Sequence, residues 1–187
     1  MKKIGFIVFC CLVSVLSASA QYVAIKTNGV YDALTCPNLG VEFSMGKHFT
    51  GDVSGNYAPF EITKKESLKH WLVQPEFRYW PVERFNGHFI GLHGYYMDYV
   101  FKKVDLPFGM NKDHAYDGTG YGGGISYGYQ LYLSSRWSLE FTAGFGYGYF
   151  EYDKFVMKDD QQEYLGLFKT DYWGITKAGI TITYFIK

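Results

Sequence analysis

From Trp137 to Tyr149 the chain alternates without a break. Trp137, Leu139, Phe141, Ala143, Phe145, Tyr147 and Tyr149 are apolar, while Ser138, Glu140, Thr142, Gly144, Gly146 and Gly148 between them are small or polar. A strand turns successive side chains to opposite faces, so this period of two predicts a strand with one wholly apolar face. The same split recurs seven more times. Val23 and Ile25 oppose Ala24, Lys26 and Asn28; Leu39, Val41, Phe43 and Met45 oppose Asn38, Gly40, Glu42 and Ser44. Phe49, Val53 and Tyr57 oppose Thr50, Asp52, Ser54 and Asn56; Val73, Pro75, Phe77 and Tyr79 oppose Gln74, Glu76 and Arg78. Ile90, Leu92 and Tyr96 oppose Gly91, His93 and Tyr95; Ile125, Tyr127, Tyr129 and Leu131 oppose Gly124, Ser126, Gly128 and Gln130. Last, Ala178, Ile180, Ile182 and Tyr184 oppose Lys177, Gly179, Thr181 and Thr183. Eight strands are predicted, and no helical period stands out. Pro75 removes one ladder donor, which predicts a bulge there.

The connections alternate in length. Gly46-Lys47-His48, Pro81 to Asn86 and Ser134-Ser135-Arg136 are short, whereas longer charged connections fall at about 59–69, 97–118 and 153–171. They carry Lys64, Lys65, Glu66, Lys102, Lys103, Asp105, Asp159 and Asp160. On the long side only the first connection, about 32–37, is short. Short turns at one end and long loops at the other are the pattern of transmembrane barrels. The predicted fold is therefore all-β: an eight-stranded antiparallel up-and-down transmembrane β-barrel with short periplasmic turns and longer extracellular loops. An even strand number returns the C-terminus to the side of the N-terminus, so the last strand is expected to pair with the first.

Periodicity alone does not say which face points inward. A soluble eight-stranded ligand-binding barrel would bury the apolar face, and a membrane barrel inverts this. The polar face decides for the membrane. Lys26, Glu42, Asp52, Glu76, Arg78, Glu140 and Lys177 mix both signs among small residues, as suits a crowded interior where charges pair. These seven are the expected barrel-interior polar network, filling the lumen as a plug rather than lining a channel. Tyr57, Tyr79, Trp137 and Tyr149 sit on the apolar face near strand ends, where interfacial aromatic girdles belong.

Residues 1–20 read as a cleaved signal peptide. Lys2 and Lys3 precede the apolar run Ile4 to Leu16, and Ala18-Ser19-Ala20 supplies a small-x-small site, leaving 21–187 as the barrel. The chain is therefore expected to be exported, to the cell outer membrane. Cleavage would leave Cys36 as the sole cysteine, without a disulfide partner. Eighteen Lys+Arg balance eighteen Asp+Glu, which argues against a nucleic-acid partner. An aromatic content of 20% and 22 Gly exclude disorder and disfavour a helical bundle.

Chemistry-bearing patterns are sparse. His88 and His93 lie five apart and so face opposite sides of a strand. His114 lies near Asp113 and Asp117 in a predicted loop, the usual setting of solvated polar residues. An enzyme would have to draw on His93 and Asp98 near the outer rim, with no nucleophile motif beside them. Gly120 to Gly124 lacks the helix and Lys-Ser/Thr of a phosphate loop and reads as glycine in a curved strand. No catalytic, cofactor-binding or metal site is expected. Tyr99, Phe101, Phe108, Tyr116, Phe155 and Phe168 in the long connections either form a binding surface or pack the loops.

Val23-Ala24-Ile25-Lys26-Thr27-Asn28, Tyr31-Asp32-Ala33 and Pro37-Asn38-Leu39-Gly40-Val41-Glu42 carry a further signal. So do Trp71 to Trp80 (WLVQPEFRYW) and Phe85 to His93 (FNGHFIGLH). Through these residues the first half resembles an uncharacterised Bacteroidetes family of small outer-membrane β-barrel proteins, and the second half follows the same pattern. Cys36 stands where a Thr or similar residue is expected. The resemblance brings no catalytic residues. Some family members resemble companions of fimbrial gene clusters, which implies a non-enzymatic structural or surface-interaction role, in surface-fibre assembly or anchoring. The expected partners are outer-membrane lipid and a fimbrial or other surface protein met through the loops. The alternatives from other classes are a lipid-active outer-membrane enzyme and the soluble ligand-binding barrel.

Overall fold

The computed structural model describes residues 22–63, 66–102, 114–158 and 161–186. The leader expected over 1–20, its cleavage before Gln21, and Lys64, Lys65, Lys103, Asp105, Phe108, Asp113, Asp159 and Asp160 lie outside the described residues. The order is β1 (Val23–Asn28), α1 (Gly29–Ala33), β2 (Asn38–Ser44), β3 (Phe49–Thr63), β4 (Glu66–Tyr79), β5 (Gly87–Lys102), β6 (His114–Tyr132), β7 (Trp137–Lys158) and β8 (Gln161–Phe185). Every strand pairs antiparallel with its sequence neighbours, and β8 closes on β1 through Ala24↔Phe185 to Asn28↔Thr181. The eight strands form a closed barrel over the length of β1 and β2, and beyond it β8 pairs only with β7 and β3 only with β4. One end, the turn end, carries the connections after β2, β4 and β6; the other is the open end.

Each polar face read from the alternation points inward. Lys26, Glu42, Thr50, Asp52, Gln74, Glu76, Arg78, His93, Ser126, Gln130, Ser138 and Glu140 are buried, while Leu39, Val53, Phe77, Leu92, Ile125, Phe145 and Ile180 are exposed on the outer wall. The interior tolerates this crowding only because glycine faces it at close approaches. A Cβ on Gly91 would stand 2.3 Å from Glu76 Oε1, and one on Gly146 would stand 2.1 Å from the Gly123 carbonyl oxygen.

Three features depart from the sequence reading. Within the long connections expected at about 59–69, 97–118 and 153–171, the described residues are strand, because β3 to β8 run on as paired hairpins. The alternation ends where the outer wall stops being apolar, but backbone pairing needs no alternation and continues. The second departure is α1, five residues after β1 with the Asn28 side chain accepting from the Val30 amide at 3.1 Å. An asparagine cap on a single turn leaves no periodic trace. Third, Pro75 makes no bulge: it faces Val53 in unbroken β3–β4 register, and β4–β5 pairing resumes in the same register at Glu76↔His93. The shifts lie instead between Glu61 and Thr63, Gly144 and Phe145, and Lys154 and Phe155. At the second of these, Gly144 pairs with Lys177 and Phe145 with Ile175, so Thr176 is the extra residue. Inward parity in β8 switches there from Tyr172 and Gly174 to Lys177 and Gly179.

The outer wall is banded. Near the open end an aromatic row follows the register: Tyr57↔Trp71, then Tyr96↔Tyr121, Tyr121↔Tyr149 and Tyr147↔Trp173. Trp71 and Tyr96 bridge the gap with ring centroids 5.4 Å apart. Immediately beyond this row the outward positions turn polar along Asp98↔Thr119, Thr119↔Glu151 and Glu151↔Lys169. A second aromatic row rings the turn end, with Phe49 against Tyr79, His88 against Tyr129 and Trp137 against Tyr184. Between the two rows the wall is aliphatic and Phe-rich.

The glycine contacts generate a test. Gly146→Val drives a side chain into the backbone of β6 and is expected to cost about 1–3 kcal/mol, the range for overpacking. Ala143→Val, on the outward face of the same strand, is expected to change little. Guanidinium unfolding of the two refolded variants, followed by tryptophan fluorescence, checks the difference.

Candidate functional site: a charged plug beneath an aromatic pocket

The structure brings all seven residues of the expected polar network together. Arg78 on β4 is the hub. Its Nε donates to Glu76 Oε2 at 2.7 Å, its Nη1 to Glu42 Oε2 and Glu140 Oε2 at 2.9 Å each, and its Nη2 to Glu140 Oε1 at 3.1 Å and Asp52 Oδ2 at 3.4 Å. Lys26 Nζ lies 2.8 Å from Glu42 and 2.6 Å from Glu140, with Asp52 Oδ1 at 4.0 Å. Lys177 Nζ reaches Glu76 at 2.7 Å and Asp52 at 3.8 Å. Three cations thus face four carboxylates, a net of one negative charge. Hydroxyls add further donors: Thr50 donates to Glu42 at 2.5 Å, Thr142 to Glu140 at 2.7 Å, and Ser126 to Glu76, while Asp52 Oδ1 is buried without a hydrogen-bond donor.

The network spans the lumen from wall to wall, since its carboxylates come from β2, β3, β4 and β7 and its cations from β1, β4 and β8. An apolar floor closes the turn end beneath it. The Arg78 guanidinium lies 4.4 Å above the Phe89 ring, Phe89 packs on Trp80 at 4.7 Å, and Trp80 Nε1 donates to Thr50 at 2.9 Å. Above the network is a small polar cavity of about 40 Å³ lined by Asp52, Ser54, Asn56, Gln74 and Lys177 among others. It is large enough for a water or two and no more. Nothing in this arrangement resembles a continuous channel.

The sequence candidates for chemistry separate. His93 is buried inside, its Nε2 2.8 Å from Thr176 Oγ1, whereas Asp98 faces outward with Thr119 and Trp71 across the sheet. The two cannot act together. His88 is outside against Tyr127, its Nδ1 2.6 Å from the Tyr127 hydroxyl. His114 opens β6 opposite Val156. No cluster of three metal-ligating side chains occurs among the described residues. Gly120 to Gly124 run through the middle of β6 as strand.

What sequence reasoning left undecided is the aromatic set. Tyr99, Phe101 and Tyr116 line the inner face of the tall wall beyond the plug, with Tyr95, Phe150, Tyr152 and Tyr172. They enclose a pocket of about 440 Å³ whose floor includes Leu72 and Thr176. Phe168 stacks on Tyr152 at 6.0 Å, and Phe155 packs on Tyr164 at 5.4 Å, outside the pocket lining. Burial first, then Tyr152 and Asp117, hold the Tyr99 phenol well above its ordinary range, so it stays a neutral donor. On the outer side of the same wall, burial, Asp98 and Asp153 push the Asp117 carboxyl up. The inward parity of β5 and β6 was the available signal for the pocket, but it had to be carried past the point where the outer face stops being apolar.

The hub generates a test. Arg78→Met leaves four buried carboxylates with two lysines and is expected to destabilise the barrel by about 3–5 kcal/mol, the range for breaking a buried ion pair. Arg78→Lys keeps the charge but loses the five-donor fork, and is expected to fall between. Denaturant midpoints of the refolded variants measure both.

No curated protein and no solved structure gives a significant match to this chain. One protein family does match, over residues 6–186, and its description is a protein of unknown function, DUF3575. With nearly its whole length inside that match, the chain belongs to the DUF3575 family.

Proposed function

We propose that this protein is an outer-membrane β-barrel, exported by a cleaved leader, with a non-enzymatic structural or surface-interaction role. The observation that carries the membrane reading is the banded outer wall. An apolar belt bounded by two aromatic rows, with charges beginning at Asp171 beside Tyr149 and continuing just beyond the upper row, matches what a bilayer's hydrocarbon and interfaces require. Trp173 and Ile175 are 70% and 69% exposed on that belt, a costly surface in water and a suitable one in lipid. The inward polar network and the closed hydrogen-bond ring fit the same reading, because lipid leaves no alternative partner for a free edge.

Strand length supports the interaction role. A barrel strand crosses a bilayer in about 9–11 residues, whereas β7 has 22 residues and β8 has 25. About half of that hairpin therefore projects beyond the belt, with β7 still paired to β6 as far as His114↔Val156. It exposes Tyr164, Leu165, Leu167 and Phe168. This projecting hairpin is the surface we assign to partner contact. A component of a surface fibre is the partner that the sequence resemblance suggests.

Two outcomes test the membrane reading. Protein refolded in detergent should migrate differently on gels before and after boiling and fractionate with outer membrane. In brominated-lipid vesicles the outward Trp71, Trp137 and Trp173 should be quenched, while a variant retaining only the buried Trp80 should be quenched little. Solubility without detergent, with no mobility shift, would overturn it. Phe145→Arg, in mid-belt, should cost about 2–4 kcal/mol in a bilayer.

A further inference from the structure

The pocket above the plug combines features that together describe its occupant. Its walls are aromatic faces and aliphatic side chains, and most of the hydroxyls around it are already engaged within the protein. Thr176 meets His93 at 2.8 Å, Tyr152 meets Thr170 at 3.4 Å, and Tyr172 donates to the Ile175 carbonyl at 3.3 Å. A sugar or peptide would find few free hydrogen-bonding groups there, so the body of the ligand is apolar. The pocket is blind, because the plug lies beneath its floor.

Among the described residues an ammonium stands at the rim. Lys154 projects inward from β7 with its Nζ 5.8 Å from the Tyr116 ring centroid and 5.7 Å from that of Phe168. It forms no ion pair among the described residues. The one carboxylate of the lining, Asp171, is taken by the Tyr147 hydroxyl. A cation held by ring faces over an apolar pocket, with no carboxylate to neutralise it, favours an anion at that point. A volume of about 440 Å³ lies within the range of small-molecule sites.

From this geometry we propose that the pocket binds a single-chain anionic amphiphile, its chain against Tyr95, Tyr99 and Phe150 and its head group on Lys154. A carboxylate and a phosphate satisfy the head site equally, so the ligand is either a free fatty acid or a single-chain phospholipid. The proposal rests on the membrane-barrel reading only for the medium in which it is tested.

The test is a binding titration on the full mature chain in phosphatidylcholine nanodiscs, with protein-free discs subtracted. The probes are radiolabelled laurate, 1-dodecanol and dodecyltrimethylammonium, with dodecyl phosphate as competitor. Saturable laurate binding at least tenfold tighter than dodecyltrimethylammonium is expected. Lys154→Gln should abolish that charge preference while keeping dodecanol binding. Thr170→Trp, which fills the pocket from an exposed position on β8, should weaken all ligands at least tenfold. Gel mobility of unboiled samples verifies that each variant is folded. Displacement by dodecyl phosphate at lower concentration than by unlabelled laurate assigns the phospholipid source, and the reverse order assigns the free acid. Binding that does not saturate, that ignores charge in the wild type, or that keeps its charge preference in Lys154→Gln overturns the proposal. Failure to enter nanodiscs counts against the membrane reading alone, and the same titration is then run in buffer with the same criteria.

Discussion

A ring of eight strands encloses a space only as wide as its own side chains, and every polar group turned into it must find a partner there. That constraint governs the rest of this structure. Arg78 meets it by spreading one planar, five-donor cation over four carboxylates from four strands. Lys26 and Lys177 supply the charge that Arg78 alone cannot. The cost of desolvating so many charges roughly offsets their attraction, so the plug chiefly makes each inward residue depend on the others.

The same crowding explains where the small residues fall. Glu76 needs the space that a Cβ on Gly91 would occupy, and β6 and β7 approach so closely at Gly124 and Gly146 that neither tolerates a side chain. The bulge at Thr176 belongs to the same economy of space. One extra residue in β8 turns Thr176 inward beside Lys177, and the pair serves two levels of the interior. Lys177 completes the plug below, and Thr176 fixes His93 and forms part of the pocket floor above. Plug and pocket are therefore adjacent layers joined at one irregularity.

Above that junction the wall is lopsided. β1 and β2 have six and seven residues, and α1 caps their hairpin, while other strands, β8 beside β1 among them, continue for up to 25. The inner face of the tall side must still be filled, and tyrosines and phenylalanines fill it incompletely. The pocket is the remainder. In the membrane reading proposed above, it opens where the barrel leaves the belt.

The sequence by itself determined the eight strands, their inward and outward faces, the antiparallel order and the membership of the plug. A period of two is a local property, and Glu42, Glu76, Arg78 and Glu140 share a face with small polar residues whatever they touch. Family membership came from sequence as well, and it carries no assigned activity. Only the tertiary structure decided which carboxylate meets which cation, because those partners lie up to 114 residues apart. It alone replaced the expected bulge at Pro75 with one at Thr176, since a bulge is set by how two strands accommodate each other. It also turned the described residues of the expected loops into strand. Past the belt the outer face becomes polar and the alternation vanishes, yet backbone pairing continues, and the aromatic pocket exists only because it does.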